Sequence, residues 1–199
     1  NNVLTDFIRE GVYDRNRTFY NTMSPSMDIL ISSNLERLLY FLTQDTAEVR
    51  SYMTQLAETG RYQVSDRVRN KLQKRFKGYF CGDRETQRMI RAMFDRYGYL
   101  IDTHTAVAFS ALGQYRQETG DGTPAIVAST ASPFKFCSSV LEALGDFAPD
   151  SGLDALDRLS ARTGQPAPAP LASLRSKQVR FTQVVEKENM VDAVMDLLG

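Results

Sequence analysis

The chain has 199 residues, 42% of them hydrophobic and 24% charged, which suits a globular protein of one domain or two small ones. Lys+Arg and Asp+Glu each number 24, so the net charge is zero, and the basic excess of a general nucleic-acid or anionic-membrane binder is absent. No apolar run is long enough to span a bilayer, and Asn1–Leu4 has neither region of a signal peptide; a cytoplasmic location is expected.

In chain order, Val3–Glu10 carries Leu4, Phe7 and Ile8 at helical spacing, with Gly11 as the stop. Tyr13–Arg17 reads as a polar loop and Phe19–Met23 as a short strand before Pro25. Ser33 and Glu36 have the spacing of a capping box, opening a helix over Leu35–Leu42. Asp45–Glu48 starts the next helix, with Val49, Tyr52, Met53, Leu56 and Ala57 on one face and Gly60 at its end. A basic helix follows over Val64–Arg75, then a possible strand over Phe76–Cys81, then Asp83 as a cap and a helix through Tyr97.

Asp102 or Thr103 caps a helix running through Gln117. Its small residues Ala106, Ala108 and Ala111 permit close packing. Asp121-Gly122 is a turn signal. Pro124–Ser129 (PAIVAS) is a continuous apolar run and the best strand candidate, of the kind buried on both faces in a parallel sheet. A helix is expected over Phe134–Leu144, a small amphipathic helix over Ser151–Arg162, an extended Pro/Ala linker over Gly164–Leu171, an edge strand over Val179–Val185 and a terminal helix over Glu186–Leu198. Helices alternating with a few short strands indicate an α/β protein. Cys81 and Cys137 lack metal-ligand spacing and read as reduced, partly buried thiols. A lone histidine, His104, leaves little material for a zinc site or a Cys–His pair.

Three blocks stand where a loop or strand hands over to a helix, the position at which helix N-termini bind anions and substrates. They are Ser24–Arg37 (SPSMDILISSNLER), Asp102–Ala106 (DTHTA) and Ser129–Phe136 (STASPFKF). Together they resemble the C-terminal part of threonine synthases of the longer kind. The likeness is strongest over Asn1–Leu42, Ile101–Ala108 and Val127–Leu144.

The resemblance implies the helix-rich part of a fold-type-II large domain with a short, mostly parallel sheet. Residues 1–145 would belong to the domain that binds pyridoxal 5'-phosphate, with 46–96 as a helical insertion, and 146–199 would be a C-terminal appendage packed on it. It implies conversion of O-phosphohomoserine and water to threonine and phosphate.

By the same resemblance, Thr130 would meet the pyridine nitrogen, with Ser129 beside it, although either hydroxyl also suits helix capping. His104 would hydrogen-bond near the cofactor or substrate, or fix its own loop. Lys135, like Arg15 and Arg17, is a candidate for the substrate phosphate. Asp28, Glu36 and Arg37 stand at recognisable family positions. The chain departs from the family pattern at Ser132, where a histidine is usual, and at Thr103, where proline is usual. The family's Schiff-base lysine lies in a Ser-Phe-Lys context in the N-terminal half, and its phosphate loop lies shortly before the position of Asn1; neither motif occurs here. Lys77 and Lys135 each follow phenylalanine, but no serine immediately precedes either pair, so no catalytic lysine is assigned and the chain by itself is expected to be inactive. A homodimer is possible, since an uncovered sheet edge invites association. The alternative is a non-catalytic binding or scaffold domain on the same fold.

Overall fold

The structure is a computed structural model and describes residues 1–148 and 152–198. Its elements are mostly helices, held by local signals. Helix α1 (Val3–Glu10) buries Val3 and Phe7 and stops at Gly11, whose left-handed backbone (φ 75) returns its amide to the Phe7 carbonyl. Helix α2 spans Ser33–Thr43 and α3 spans Thr46–Thr59. The Asp45 carboxylate accepts from the amides of Ala47 (2.8 Å) and Glu48 (3.1 Å), fixing the start of α3. The expected capping box is not made: Ser32, not Ser33, is the cap residue of α2, and no side chain caps it. Glu36 is exposed on the surface of α2.

Between α1 and α2, strand β1 (Val12–Asp14) pairs antiparallel with β2 (Arg61–Gln63), placing Tyr13 opposite Tyr62. This two-stranded ribbon is the sheet found among the described residues. The fold is thus helix-rich with a small sheet, but that sheet is antiparallel rather than mostly parallel, and β1 lies in part of the stretch expected to be a loop. Three residues are too few to show a periodicity. An isolated hairpin-sized ribbon is marginal in water; this one is held by its rings. Tyr13 and Tyr62 stack at 5.3 Å, Tyr52 stacks on Tyr62 at 5.4 Å, and Phe7 meets both Tyr13 and Tyr62 at 5.8 Å. With Leu35, Leu39, Leu56, Val68 and Leu72 they form a first core. Helix α4 (Asp66–Gln73) closes it, capped by the Ser65 hydroxyl.

A second core follows, built from α5 (Asp83–Tyr97), α6 (Thr103–Thr119), α7 (Cys137–Ala143) and α8 (Gly152–Thr163). Ile90, Ile101, Ala106, Val140, Leu141, Ala155 and Leu159 are its centre. Ser151, expected to begin α8, lies outside the described residues. The Gly164–Leu171 linker gives way at Ala169 to a one-turn helix, α9 (Ala169–Ala172). The chain ends in α10 (Met190–Leu198), one 3₁₀ turn later than the expected start at Glu186.

The four segments expected as strands, Phe19–Met23, Phe76–Cys81, Pro124–Ser129 and Val179–Val185, are irregular. A strand exists only through a ladder partner. Among the described residues no backbone hydrogen bond joins 124–129 to another segment, and Ile126 is fully exposed. No helix of the described residues is long and apolar enough to cross a membrane, and no group of His, Cys, Asp or Glu among them could hold a metal ion.

Candidate functional site

The N-terminus of α6 is the most tightly organised polar feature of the chain. Asp102 and Thr103 are fully buried and Thr105 nearly so. The Asp102 carboxylate accepts from the amides of His104 (2.8 Å) and Thr105 (3.2 Å) and from the Thr105 hydroxyl. A carboxylate at a helix N-terminus is favoured by the helix dipole and by the unpaired amides there. Its burial is tolerable because three donors satisfy it.

That same Thr105 oxygen lies 2.9 Å from Ser129 Oγ. Thr105 carries one hydroxyl proton, and an ionised carboxylate only accepts. Thr105 therefore donates to Asp102 and accepts from Ser129. The relay joins the second block to the third, 24 positions along the chain. A second junction lies beside it: the His104 ring packs edge-on against Phe136 at 4.8 Å. His104 Nδ1 is 3.4 Å from Thr103 Oγ1, and Nε2 is buried without a partner in the described residues. Such an orphan costs about 1–3 kcal/mol unless a ligand or water meets it.

The first block reaches the same helix by another route. Ser24 is buried and its Oγ also lacks a partner among the described residues. It faces a small cavity of about 110 Å³ shared with Thr5, Asp28, Asp83, Thr86 and Val107. Val107 lies on α6 three positions after His104. Asp28 fixes the turn through the Thr22 amide (2.7 Å), the Thr22 hydroxyl (2.8 Å) and the Asn1 side chain (3.0 Å). The Tyr13 hydroxyl donates to the Leu30 carbonyl and accepts from the Ser32 amide, both at 2.9 Å, so the first core holds the block's second half.

The other candidate residues fall as follows. Ser129 and Thr130 are both exposed, and no hydrogen bond of the Thr130 side chain is found among the described residues. The cap of the next turn is Ser132, whose Oγ accepts from the Phe134 amide at 3.3 Å. That frees both hydroxyls from the capping role weighed for them. Lys135 is exposed in the 3₁₀ turn Pro133–Lys135, one residue before the Phe136 that touches His104. Lys77 is exposed as well. Arg17 is committed to Asp6 (2.7 Å) and to the Asp14 carbonyl (2.8 Å), while Arg15 reaches the Ala57 carbonyl; both serve the first core. Arg37 bonds Asn34 on its own helix.

Sequence reasoning missed Thr105 and Phe136, whose parts depend on contacts made across the fold. A larger concavity of about 780 Å³ lies between α2 and α3, lined by Arg37, Tyr40, Phe41, Arg50 and Met53 among others. It holds none of the residues that meet at α6, so the α6 junction, where the buried His104 Nε2 lacks a partner among the described residues, is the better candidate.

The chain resembles known proteins over most of its length. The family described as "Threonine synthase, C-terminal" matches residues 105–196. Threonine synthase-like 1 of Macaca fascicularis is 38% identical over 72% of this chain and 19% of its own length. The threonine synthase of Saccharomyces cerevisiae is 31% identical over 74% of this chain and 32% of its own. Among solved structures, the pyridoxal-phosphate-bound threonine synthase of Brucella melitensis is 30% identical, with a TM-score of 0.76 over 97% of this chain and 37% of that one. The yeast threonine synthase structure is 28% identical, with a TM-score of 0.80 over 98% of this chain and 40% of that one. The chain thus spans less than half the length of the relatives it matches.

Proposed function

We propose that this chain, which belongs to the threonine synthase family and matches the C-terminal part of its members, supplies one wall of a site that converts O-phosphohomoserine and water to threonine and phosphate. The observation that carries the reading is the relay from Ser129 through Thr105 to Asp102 beside the unpartnered His104 Nε2. It sets polar groups at fixed positions at a helix N-terminus, with the Ser129 hydroxyl exposed and His104 Nε2 lacking a partner among the described residues.

The residues fit pyridoxal 5'-phosphate in part. Thr130 offers a hydroxyl just past an apolar segment that would donate to a ring nitrogen, while Ser129, whose proton goes to Thr105, would stand beside it as an acceptor only. A hydroxyl is far too weak an acid to give a pyridine its proton, so these residues would orient the ring without charging it. The Thr105–Asp102 pair positions the Ser129 hydroxyl. His104 would present Nε2 to the cofactor or the substrate, with Phe136 fixing the plane of its ring. Lys135, an exposed cation in the turn that follows, would attract the substrate phosphate. The cofactor, when bound, supplies the electron sink that lets protons leave the substrate carbon. No lysine of this chain stands in a Ser-Phe-Lys setting, so covalent attachment of the cofactor would fall to residues outside it, and the chain alone would be inactive.

The test compares the 199-residue chain with the full-length polypeptide. Phosphate release from O-phosphohomoserine and the visible absorbance of lysine-bound pyridoxal phosphate are expected only for the latter. Turnover by the isolated chain, or its absence from a folded full-length protein supplied with cofactor, would overturn the reading. A binding or scaffold role is the second reading, favoured by the open groove between α2 and α3; a folded full-length protein that binds no cofactor would select it.

A further inference from the structure

The last stretch of the chain leaves the body without burying anything. Arg175 is the final anchor, held by Asp157 at 2.6 Å and Asp154 at 3.2 Å. Beyond it Val179, Phe181, Val184, Val191 and Leu198 are each at least 70% exposed, and α10 buries none of its residues. Monomeric proteins rarely leave contiguous apolar patches of more than a few hundred Å² open. A helix of nine residues is also too short to hold itself together in water.

The pattern of α10 says what kind of cover it needs. At 3.6 residues per turn, Met190, Val191, Ala193, Val194, Met195, Leu197 and Leu198 span about 200° of the helix surface. Asp192 and Asp196 share the remaining strip. A helix apolar over more than half its circumference is built to be sunk in a groove, with only its acidic strip in water.

The likeness to solved structures says where that groove is. The structural match runs through 97–98% of this chain, so it takes in most of the arm, yet this chain accounts for only 37–40% of those proteins. The family match is to a C-terminal region, so the unmatched majority of such a protein precedes the counterpart of Asn1. The body of this chain buries no residue of α10, and the arm nonetheless belongs to the shared fold. We propose that the apolar face of residues 178–198 docks into the part of the full-length polypeptide that precedes residue 1, so that the arm clasps the C-terminal part to the rest of the protein. The proposal rests on the reading above, that the chain is the C-terminal part of a longer protein.

Amide hydrogen exchange on the full-length polypeptide and on the 199-residue chain tests it. The amides of α10 are expected to exchange at least ~10-fold more slowly in the full-length protein, because docking raises their local opening free energy. The double substitution Val194→Asp, Leu198→Asp is expected to lower the melting temperature of the full-length protein by several degrees and to leave that of the isolated chain unchanged. Equal, fast exchange in both proteins would overturn the proposal. So would protection in the isolated chain that disappears on dilution, which would make a second copy the occupant. Phosphate release reads the proposed reaction separately: a protected α10 in a full-length protein without synthase activity supports the clasp and removes the reaction, and the reverse combination does the opposite.

Discussion

The Thr105 side chain bridges the Asp102 carboxylate and Ser129, 2.9 Å from the latter's Oγ. Through it the N-terminus of α6 holds the end of a segment, 124–129, that has no backbone hydrogen bonds to any other segment described. Asp102 is fully buried and Ser129 exposed, so the two halves of the bridge have unequal weight. Thr105→Val preserves shape but takes a donor from a buried carboxylate, at a cost of about 1–3 kcal/mol. Ser129→Ala removes a partner that water can replace and should cost less than about 1 kcal/mol. Denaturant midpoints of the two variants check this order. Equal midpoints would mean that Asp102 does not depend on the hydroxyl.

The stacked tyrosines should make the protein sensitive to alkali. Burial raises the hydroxyl of Tyr62 far above its usual 10.0, and the neighbouring Tyr13 and Tyr52 add to the effect. Tyr13 and Tyr52 are raised too, chiefly by burial, and Tyr52 also by its bond to Glu48. Folded tyrosines therefore keep their protons at a pH where unfolded ones lose them. The stabilisation is complete below about pH 10 and drains away as pH climbs above it, since the unfolded chain then binds fewer protons. Tyr62→Phe should move the alkaline unfolding midpoint upward. Ultraviolet absorbance of tyrosinate, followed with circular dichroism, reads both events; ionisation of all nine tyrosines well before the fold is lost would contradict the argument.

Gly60 ends α3 in a left-handed conformation (φ 76), and a Cβ there would collide with the Asn16 side chain, whose amide donates to the Thr59 carbonyl at 2.8 Å. Gly120 ends α6 with a similar backbone (φ 69) but open space around it. Gly120→Ala should cost about 1–2 kcal/mol for the backbone conformation alone. Gly60→Ala adds the loss of the Asn16 bond, about 1 kcal/mol more. Thermal melts of the pair isolate that difference, and Gly120→Ala proving the worse of the two would refute it.

The two thiols should react in a fixed order. Burial pushes the Cys137 thiol up to about 11, and its Sγ donates to the Phe134 carbonyl at 3.0 Å. Cys81 is only half-buried. Because the thiolate is the reacting species, an alkylating reagent at neutral pH should label Cys81 first and reach Cys137 only on unfolding. Mass spectrometry of the native protein decides it; early labelling of Cys137 would show that the second core opens readily.

What the sequence determined alone is what neighbouring residues settle among themselves. Helix α3 starts at Asp45 because a carboxylate reaches amides two and three residues ahead, and it ends at Gly60 because that position needs a left-handed backbone. The C-terminal ends of α1 and α5 follow from the left-handed glycines Gly11 and Gly98, and Asp102 caps α6, whereas Asp83, expected to cap α5, is its first residue and Gly82 is the cap. The three blocks are continuous stretches, so their likeness to a family was legible too.

Tertiary structure alone decided what distant residues do to one another. Pairing of Val12–Asp14 with Arg61–Gln63 spans nearly fifty residues, and its signal lies in stacked rings rather than in strand pattern. Pro124–Ser129 has the composition of a buried strand and yet is irregular, because a ladder needs a partner and the described residues supply none. The meeting of Thr105 with Ser129 and of His104 with Phe136 likewise had no local mark: each is a contact that exists only once two segments are packed against the same core.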